Sequence, residues 1–259
     1  MAAETHVPPL ARRLLAELVG TALLVAVVVG SGVMAQRRSP DDVGLQLLEN
    51  SVATMLGLTV LILMLGPVSG AHFNPVVSGA DWLLGRRGSG RTAEGALTAT
   101  DLGAYAVAQT VGAVAGALLA NAMFEVPAGL SGHDRTGFPL WLGEVVATAG
   151  LVALIFALAR TGRGAFAAPA VGAYIGAAYW FTSSTSFANP AVTIGRVFSD
   201  TFAGIAASSV PGFVLAQAIG GAIGLALVHA LYPDVATGAG AAVVPHQSRT
   251  DPHPPETAR

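Results

Sequence analysis

The sequence predicts an all-α membrane protein, a bundle of six transmembrane helices plus two re-entrant half-helices arranged as an inverted 3+3 repeat. Three observations predict this fold class. Of the 259 residues, 53% are hydrophobic and 11% are charged, whereas an ordinary soluble domain has roughly 25% charged residues. The apolar residues are grouped into six long spans, and two short Asn-Pro segments between them resemble each other.

Each apolar span is about as long as a helix that crosses the hydrocarbon core. Arg12 and Arg13 precede an apolar run that is too long for the apolar part of a secretory signal. Most arginines fall on one side of six crossings, so the positive-inside rule places both termini in the cytoplasm of an inner-membrane protein. We predict spans near Leu10–Met34, Val43–Leu65, Leu102–Phe124, Leu140–Ala159, Gly164–Phe181 and Val210–Tyr232.

The two half-helices are predicted at Phe73–Leu84 and Phe187–Phe198, which are about half as long as a crossing requires. Each contains an Asn-Pro pair near its start, and Asn is a favoured N-cap while Pro fits the first helical position. Such a helix start points unpaired N–H groups and a partial positive charge into the bilayer interior. Amphipathic loops on the membrane surface are the alternative, but the similarity of the two segments favours re-entrant half-helices.

Further pairs of motifs occur in the same order in both halves, Glu-x-x-x-Thr in the first and fourth spans and Ala-Gln-x-x-Gly in the third and sixth. Because each half has three crossings, the two copies insert with opposite topology and the functional site is expected near the midplane. We predict one transmembrane domain over 10–232, with repeats over about 10–124 and 139–232. It is flanked by a cytoplasmic segment over 1–9 and a disordered tail over 233–259.

The repeated polar residues lie inside apolar spans, where a carboxylate is costly and usually faces a polar partner or a cavity. We expect Glu17 and Glu144, together with Gln109 and Gln217, to brace the re-entrant loops, whose non-helical N–H groups need acceptors. A proton-relay role for the two carboxylates is the alternative. Glycines four residues apart beside the two glutamines predict close helix packing.

The composition argues against several function classes. A net charge of -2 and the absence of a basic stripe argue against a nucleic-acid partner. With no cysteine, disulfides and thiolate metal sites are excluded, and we expect neither a metal nor a cofactor. The chain has no His-Glu-x-x-His or Gly-x-Ser-x-Gly motif, so an enzyme is not expected.

These motifs resemble those of the major intrinsic protein family, the aquaporins and aquaglyceroporins, over about residues 10–232. The resemblance implies an aquaporin-like bundle in the lipid bilayer, a homotetramer with one pore per subunit. It also implies a passive channel for small uncharged solutes such as water and glycerol-like polyols, which excludes protons and ions. The motifs that carry it, besides the Glu and Gln pairs, are Gly70-Ala71-His72-Phe73-Asn74-Pro75-Val76 and Phe187-Ala188-Asn189-Pro190-Ala191.

The resemblance also implies roles for single residues. Asn74 and Asn189 match the pair whose amides donate hydrogen bonds to the passing solute, and Glu17 and Glu144 match the carboxylates that hold the loops. His72 could also be a metal ligand or pH gate, but without a second ligand at useful spacing we predict loop packing. The backbone carbonyls that lead the solute to the amides match Gly70, Ala71, His72, Ser186, Phe187 and Ala188.

The selectivity filter departs from the family pattern. Most members carry Arg directly after the second Asn-Pro-Ala, where this chain has Val192. The other filter positions match Ser186, Ala177 and either Thr54 or Leu56, small or apolar side chains that predict a wider and less polar filter. This pattern resembles a bacterial branch linked to arsenic detoxification. We therefore expect arsenite or other metalloid hydroxides among the solutes, since As(OH)3 is neutral and similar to glycerol in size and hydroxyl display.

Arg196 follows in the same half-helix and lies four residues before Asp200. That spacing predicts an ion pair or a steering charge in the outer vestibule rather than a filter role. The alternative function is a secondary active transporter, because inverted repeats with broken helices also build transporters. Beyond Glu17 and Glu144 the spans offer His229 and little else as ion-coupling groups, which favours the channel.

Overall fold

The computed structural model describes residues 7–87, 97–127 and 129–233. The first six residues of the predicted cytoplasmic segment and the predicted tail from residue 234 lie outside the described residues. Within the described ranges eight α-helices follow one another: α1 (Leu10–Arg38), α2 (Val43–Ser69), α3 (Pro75–Arg87), α4 (Ala99–Met123), α5 (Phe138–Arg160), α6 (Ala167–Phe181), α7 (Pro190–Gly195) and α8 (Val210–Leu231).

The predicted helical bundle is confirmed. Five of the described helices, α1, α2, α4, α5 and α8, are long and apolar enough to cross a membrane. The remaining predicted span is α6, which has 15 residues and directly follows a 3-10 turn over Gly164–Phe166. Turn and helix together extend about 28 Å, at 2.0 Å per residue in the turn and 1.5 Å in the helix, which is close to the roughly 30 Å of the hydrocarbon core.

The two predicted half-helices are α3 and α7, and each begins at the proline that follows a repeated asparagine. In α7 the side chain of Asn189 is the N-cap and accepts hydrogen bonds from the backbone N–H groups of Ala191 and Val192. This helix has only six residues and gives way to a 3-10 turn over Arg196–Phe198. So short a helix is not stable alone in water, and α7 is held by packing against α4 and α8.

Close helix packing in both repeats depends on glycine. On α4, a Cβ atom at Gly116 would lie 2.0 Å from the backbone oxygen of Ala22 on α1. On α8, a Cβ atom at Gly224 would lie 2.5 Å from the backbone oxygen of Ala149 on α5. No larger residue fits at either position without separating the helices, so the prediction that these glycines serve helix packing agrees with the structure.

The connection between α4 and α5 is attached to the residues that precede α8. The hydroxyl of Ser209 donates a hydrogen bond to the Asp134 carboxylate over 2.8 Å and accepts one from the backbone N–H of Arg135 over 2.9 Å. The hydroxyls of Thr136 and Ser209 lower the pKa of the Asp134 carboxyl, because they donate to its charged form. This connection positions Arg135, whose guanidinium carbon lies 5.2 Å from the ring centroid of Phe187.

Candidate functional site

The two loops that precede the half-helices meet at the centre of the bundle. The side-chain nitrogen of Asn74 donates a hydrogen bond to the carbonyl of Ala188 over 2.8 Å. The side-chain nitrogen of Asn189 donates to the carbonyl of Phe73 over 2.7 Å. Both asparagines are buried and line one central cavity, so residues 115 positions apart in the sequence act at one place.

The orientation of each amide follows from its role as a helix cap. The Asn74 side-chain oxygen accepts a hydrogen bond from the backbone N–H of Val76 over 3.0 Å. The Asn189 oxygen accepts from Ala191 and Val192 over 3.0 and 3.3 Å. With the oxygens turned to the half-helices, the NH2 groups face the opposite loops, and each retains a second N–H after its bond to a carbonyl. The centre of the cavity therefore offers hydrogen-bond donors.

Glu17 on α1 holds the first loop. One carboxylate oxygen accepts hydrogen bonds from the hydroxyl of Ser69 over 2.6 Å and from the backbone N–H of His72 over 3.0 Å. The other accepts from the backbone N–H of Phe73 and from the side-chain amide of Gln109, both over 2.7 Å. Four donors thus converge on one fully buried carboxylate, and its burial cost is offset by these bonds.

Glu144 on α5 does the same for the second loop. Its two oxygens accept hydrogen bonds from the backbone N–H groups of Phe187 and Ala188, both over 2.8 Å, and from the side chain of Gln217 over 2.6 Å. Gln217 also donates to the hydroxyl of Thr193 on α7 over 2.9 Å. Gln109 donates to the hydroxyl of Ser78 on α3 in the same way. Each glutamine therefore connects a carboxylate to a half-helix.

Both loops contain strained backbone at matching positions. The residues three and one positions before each asparagine have positive φ: Ala71 at 49°, Phe73 at 49°, Ser186 at 53° and Ala188 at 49°. A left-handed conformation at a residue other than glycine costs about 1–3 kcal/mol and persists only where the surroundings hold it. The glutamates hold Phe73 and Ala188 by hydrogen bonds to their backbone N–H groups. Serine hydroxyls hold Ala71 and Ser186 in the same way.

The cavity runs between four helices and the two loops. The lining residues of α6 are Ala167, Val171, Ile175 and Tyr179, and those of α2 are Thr54, Leu58 and Ile62. A spacing of four residues places such side chains on one helix face. Aliphatic side chains from α1 and α5 complete this wall, while the polar groups come from the loops, Thr54, Tyr179 and Arg196.

Most of the predicted loop residues lie at this cavity. Val192 also lines the cavity, and Gly70 does not. Gly70 instead ends α2 with a φ of +90° and donates its backbone N–H to the carbonyl of Gly66. The predicted residues along the cavity are Ala71, His72, Asn74, Ser186, Phe187, Ala188, Asn189 and Val192.

Two predicted filter positions are wrong. Leu56 is 56% exposed and Ala177 is exposed on α6, and neither lines the cavity. Thr54, the predicted alternative to Leu56, lines the cavity, and so does Tyr179 in place of Ala177. The hydroxyls of Thr54 and Tyr179 lie 3.1 Å apart. An error of two residues rotates a helical position by about 200°, which moves a side chain from the inner face to the outer one. The four-residue stripe along α6 is the sequence signal that identifies Tyr179.

The predicted ion pair between Arg196 and Asp200 is also wrong. Arg196 and Asp200 do not approach within 4.0 Å in the described part of the chain, whereas Arg13 and Asp101 form an ion pair at 3.7 Å. Asp200 accepts a hydrogen bond from the backbone N–H of Gly132 over 2.9 Å. Arg196 instead lines the central cavity.

His72 is held within the first loop. Its Nδ1 lies 3.1 Å from the hydroxyl of Ser78, and its ring centroid lies 5.6 Å from that of Tyr105. Among residues 7–87, 97–127 and 129–233, no group of three His, Cys, Asp or Glu side chains is placed to hold a metal ion. These contacts are those of a residue packed within the loop.

Comparisons with known proteins agree with this geometry. Residues 4–188 match the family model of the major intrinsic protein. The chain is 50% identical over 220 residues to the aquaglyceroporin AqpS of Rhizobium meliloti, and the matched region covers 85% of this chain and 89% of that protein. It is 36% identical to aquaporin Z of Brucella melitensis over 127 residues, 48% of each chain.

The fold is also similar to a solved structure. The X-ray structure of the aquaglyceroporin from Plasmodium falciparum superposes with a TM-score of 0.64 at 18% sequence identity. The similarity covers 88% of this chain and 99% of that one, so it extends over the whole bundle rather than over one repeat.

Proposed function

The chain belongs to the major intrinsic protein family, and from that premise we propose how its residues conduct and select solutes. The protein is a passive membrane channel for water and glycerol. The observation that carries the proposed mechanism is the reciprocal pairing of Asn74 and Asn189 within one cavity. The second N–H of each amide donates to the oxygen atoms of a passing solute, which exchanges its hydrogen bonds with water for bonds with the channel.

Exclusion of cations follows from the same arrangement. The starts of both half-helices lie at the asparagines, and each carries a partial positive charge that disfavours a cation or hydronium ion. An amide donor has nothing to offer a cation, which needs acceptors. Glu17 and Glu144 are proposed as the residues that hold the loops in place, and not as proton relays, because their oxygens are occupied by loop N–H groups and glutamine side chains.

Reconstitution into proteoliposomes tests the function. We expect glycerol flux proportional to the glycerol gradient and unchanged by an imposed pH or Na⁺ gradient, because a passive channel couples to neither. Liposomes without protein provide the baseline. Glycerol accumulation driven by a pH or Na⁺ gradient would instead indicate a transporter.

We further propose that neutral metalloid hydroxides, arsenite among them, pass through the same conduit. The basis is the aliphatic Val192 at the position after the second Asn-Pro-Ala, which lines the cavity and is buried. Flux measurements in parallel proteoliposome samples, each with a gradient of water, glycerol, urea or arsenite, rank the four permeabilities. Arsenite flux no higher than in protein-free liposomes would show that the channel does not conduct arsenite.

Replacing Val192 with arginine narrows the conduit and adds a positive charge near the two asparagines. We expect the permeability to glycerol to fall at least about tenfold while the permeability to water falls by less than about threefold, because only the larger solute needs the full width. Val192→Leu changes size without charge and is the matched control. The measurement is stopped-flow light scattering. Equal glycerol and water permeabilities in the wild type and in Val192→Arg would show that Val192 does not lie at the constriction.

The assembly and placement of the chain are proposed from family membership and arginine placement. We propose one channel domain over 10–232, a homotetramer with one conduit inside each subunit, and an inner-membrane location with both termini in the cytoplasm. The side chains of one chain are sufficient to line the cavity. Each subunit is therefore expected to conduct on its own.

A further inference from the structure

Arg196 is buried, yet most of its hydrogen-bond donors have no partner within the part of the chain that the structure describes. It is only 3% exposed, and its Nε donates a hydrogen bond to the carbonyl of Ala203. No carboxylate lies within 4.0 Å of it among the described residues. Its two terminal NH2 groups have no hydrogen-bond partner in the described part of the chain, although the residue lines the central cavity. A guanidinium carries five N–H donors, so four remain for groups in the cavity.

The guanidinium of Arg196 packs against an aromatic ring. Its central carbon lies 3.5 Å from the centroid of the Phe187 ring, the contact distance of a stacked cation–π pair. Arg135 lies 5.2 Å from the same centroid but is not among the cavity residues, and its side chain is held by the carbonyls of Gly204 and Phe202. Of these two arginines at Phe187, only Arg196 lines the cavity.

A second polar group in the same cavity also lacks a partner. The hydroxyl oxygen of Ser186 is buried without a hydrogen bond, the residue is 3% exposed, and it lines the cavity beside Phe187. An unpaired buried hydroxyl is costly unless something in the cavity pairs with it. Ser186 accepts and donates, whereas Arg196 only donates, so the two together suit a solute that carries several hydroxyl groups.

We propose that Arg196 is the specificity-determining cation of this channel. It acts from one helical turn beyond Val192, where its free N–H groups bind the oxygen atoms of an uncharged polyhydroxy solute while its fixed charge excludes cations. Seven residues separate it from Asn189, which is roughly 10 Å along the chain axis at 1.5 Å per residue. The guanidinium is therefore displaced along the conduit from the asparagine pair. This inference rests on the proposed channel function and names the residue that selects its solutes.

The chain has no cysteine, so Arg196→Cys introduces a single thiol. We expect methylammonium permeability in proteoliposomes to rise at least about tenfold in this variant while water permeability stays within about threefold. Treatment with a methanethiosulfonate reagent that carries a quaternary ammonium group restores a positive charge, and the methylammonium flux is expected to fall again. Arg135→Cys is the matched control, in which neither the substitution nor the reagent changes methylammonium flux more than about twofold.

An unchanged methylammonium flux in Arg196→Cys with intact water permeability overturns the proposal. If that variant loses water permeability, Arg196→Lys decides instead, because lysine keeps the charge but not the planar fork. We expect this variant to exclude methylammonium and to lower the ratio of glycerol to water permeability about fivefold, the effect of about one lost hydrogen bond. An unchanged ratio overturns the proposal. Failure of the wild type to conduct glycerol at all would instead contradict the proposed function.

Discussion

Replacement of Glu144 by leucine is expected to collapse the second re-entrant loop. Two backbone N–H groups lose their acceptor and the side chain of Gln217 loses one of its two acceptors, and an orphaned buried donor costs about 1–3 kcal/mol. The strained backbone at Ala188 also loses the hydrogen bond that holds it. We expect the free energy of unfolding to fall by about 3 kcal/mol or more. The midpoint of thermal unfolding in detergent should fall by about 6–12 °C, with loss of water and glycerol permeability.

Two further variants separate bracing from proton transfer. Glu144→Gln keeps one oxygen acceptor, so it should unfold at a temperature between those of the wild type and Glu144→Leu, with permeability reduced in step. An unchanged unfolding temperature in Glu144→Gln would contradict the bracing role. Glu49 is partly exposed and accepts one hydrogen bond, from the hydroxyl of Ser39 over 2.8 Å. Glu49→Leu is therefore expected to cost about 1 kcal/mol or less.

Replacement of Gly116 by leucine is expected to separate α1 from α4. Already the first added carbon would lie 2.0 Å from the backbone oxygen of Ala22, and backbone cannot turn aside as a side chain can. Overpacking a core typically costs about 1–3 kcal/mol, and the displacement of a whole helix costs more. We expect little folded protein after membrane extraction, measured as the monodisperse fraction in size-exclusion chromatography.

The same helix provides the control. A Cβ atom at Gly103 meets no atom within 4 Å, so Gly103→Leu should be recovered as well as the wild type. Gly224→Leu tests the second repeat, where the added carbon would lie 2.5 Å from the backbone oxygen of Ala149. Normal recovery of Gly116→Leu and Gly224→Leu would show that the helices do not pack at these glycines.

The fold and the centre of the site were predictable from the sequence because local rules act there. Asn followed by Pro favours a helix start in any protein, and a carboxylate inside an apolar span needs hydrogen-bond donors. Two copies of each signal made the pairing of Asn74 with Asn189 and of each glutamate with its loop predictable. The register of the helices was not predictable in the same way. Thr54 and Leu56 are both compatible with a transmembrane helix, and only packing between helices decides which one faces inward.

The ion pair between Arg196 and Asp200 failed for a different reason. The rule that residues four apart face each other holds only in a continuous α-helix. Here α7 ends at Gly195, a 3-10 turn follows over Arg196–Phe198, and Ser199 is extended with a φ of −142°. The chain turns Asp200 away while Arg196 points into the cavity. No local pattern in the sequence signals that the helix stops after six residues.

The most direct test of the central claim is a high-resolution structure of the protein in lipid nanodiscs with glycerol present. The claim is that the NH2 groups of Asn74 and Asn189 flank a single continuous conduit within each subunit. We predict density for water or glycerol within hydrogen-bonding distance of both side-chain nitrogens, in a path that extends to both membrane surfaces. Asparagines separated by tens of ångströms, or either one at the bilayer surface, would contradict it.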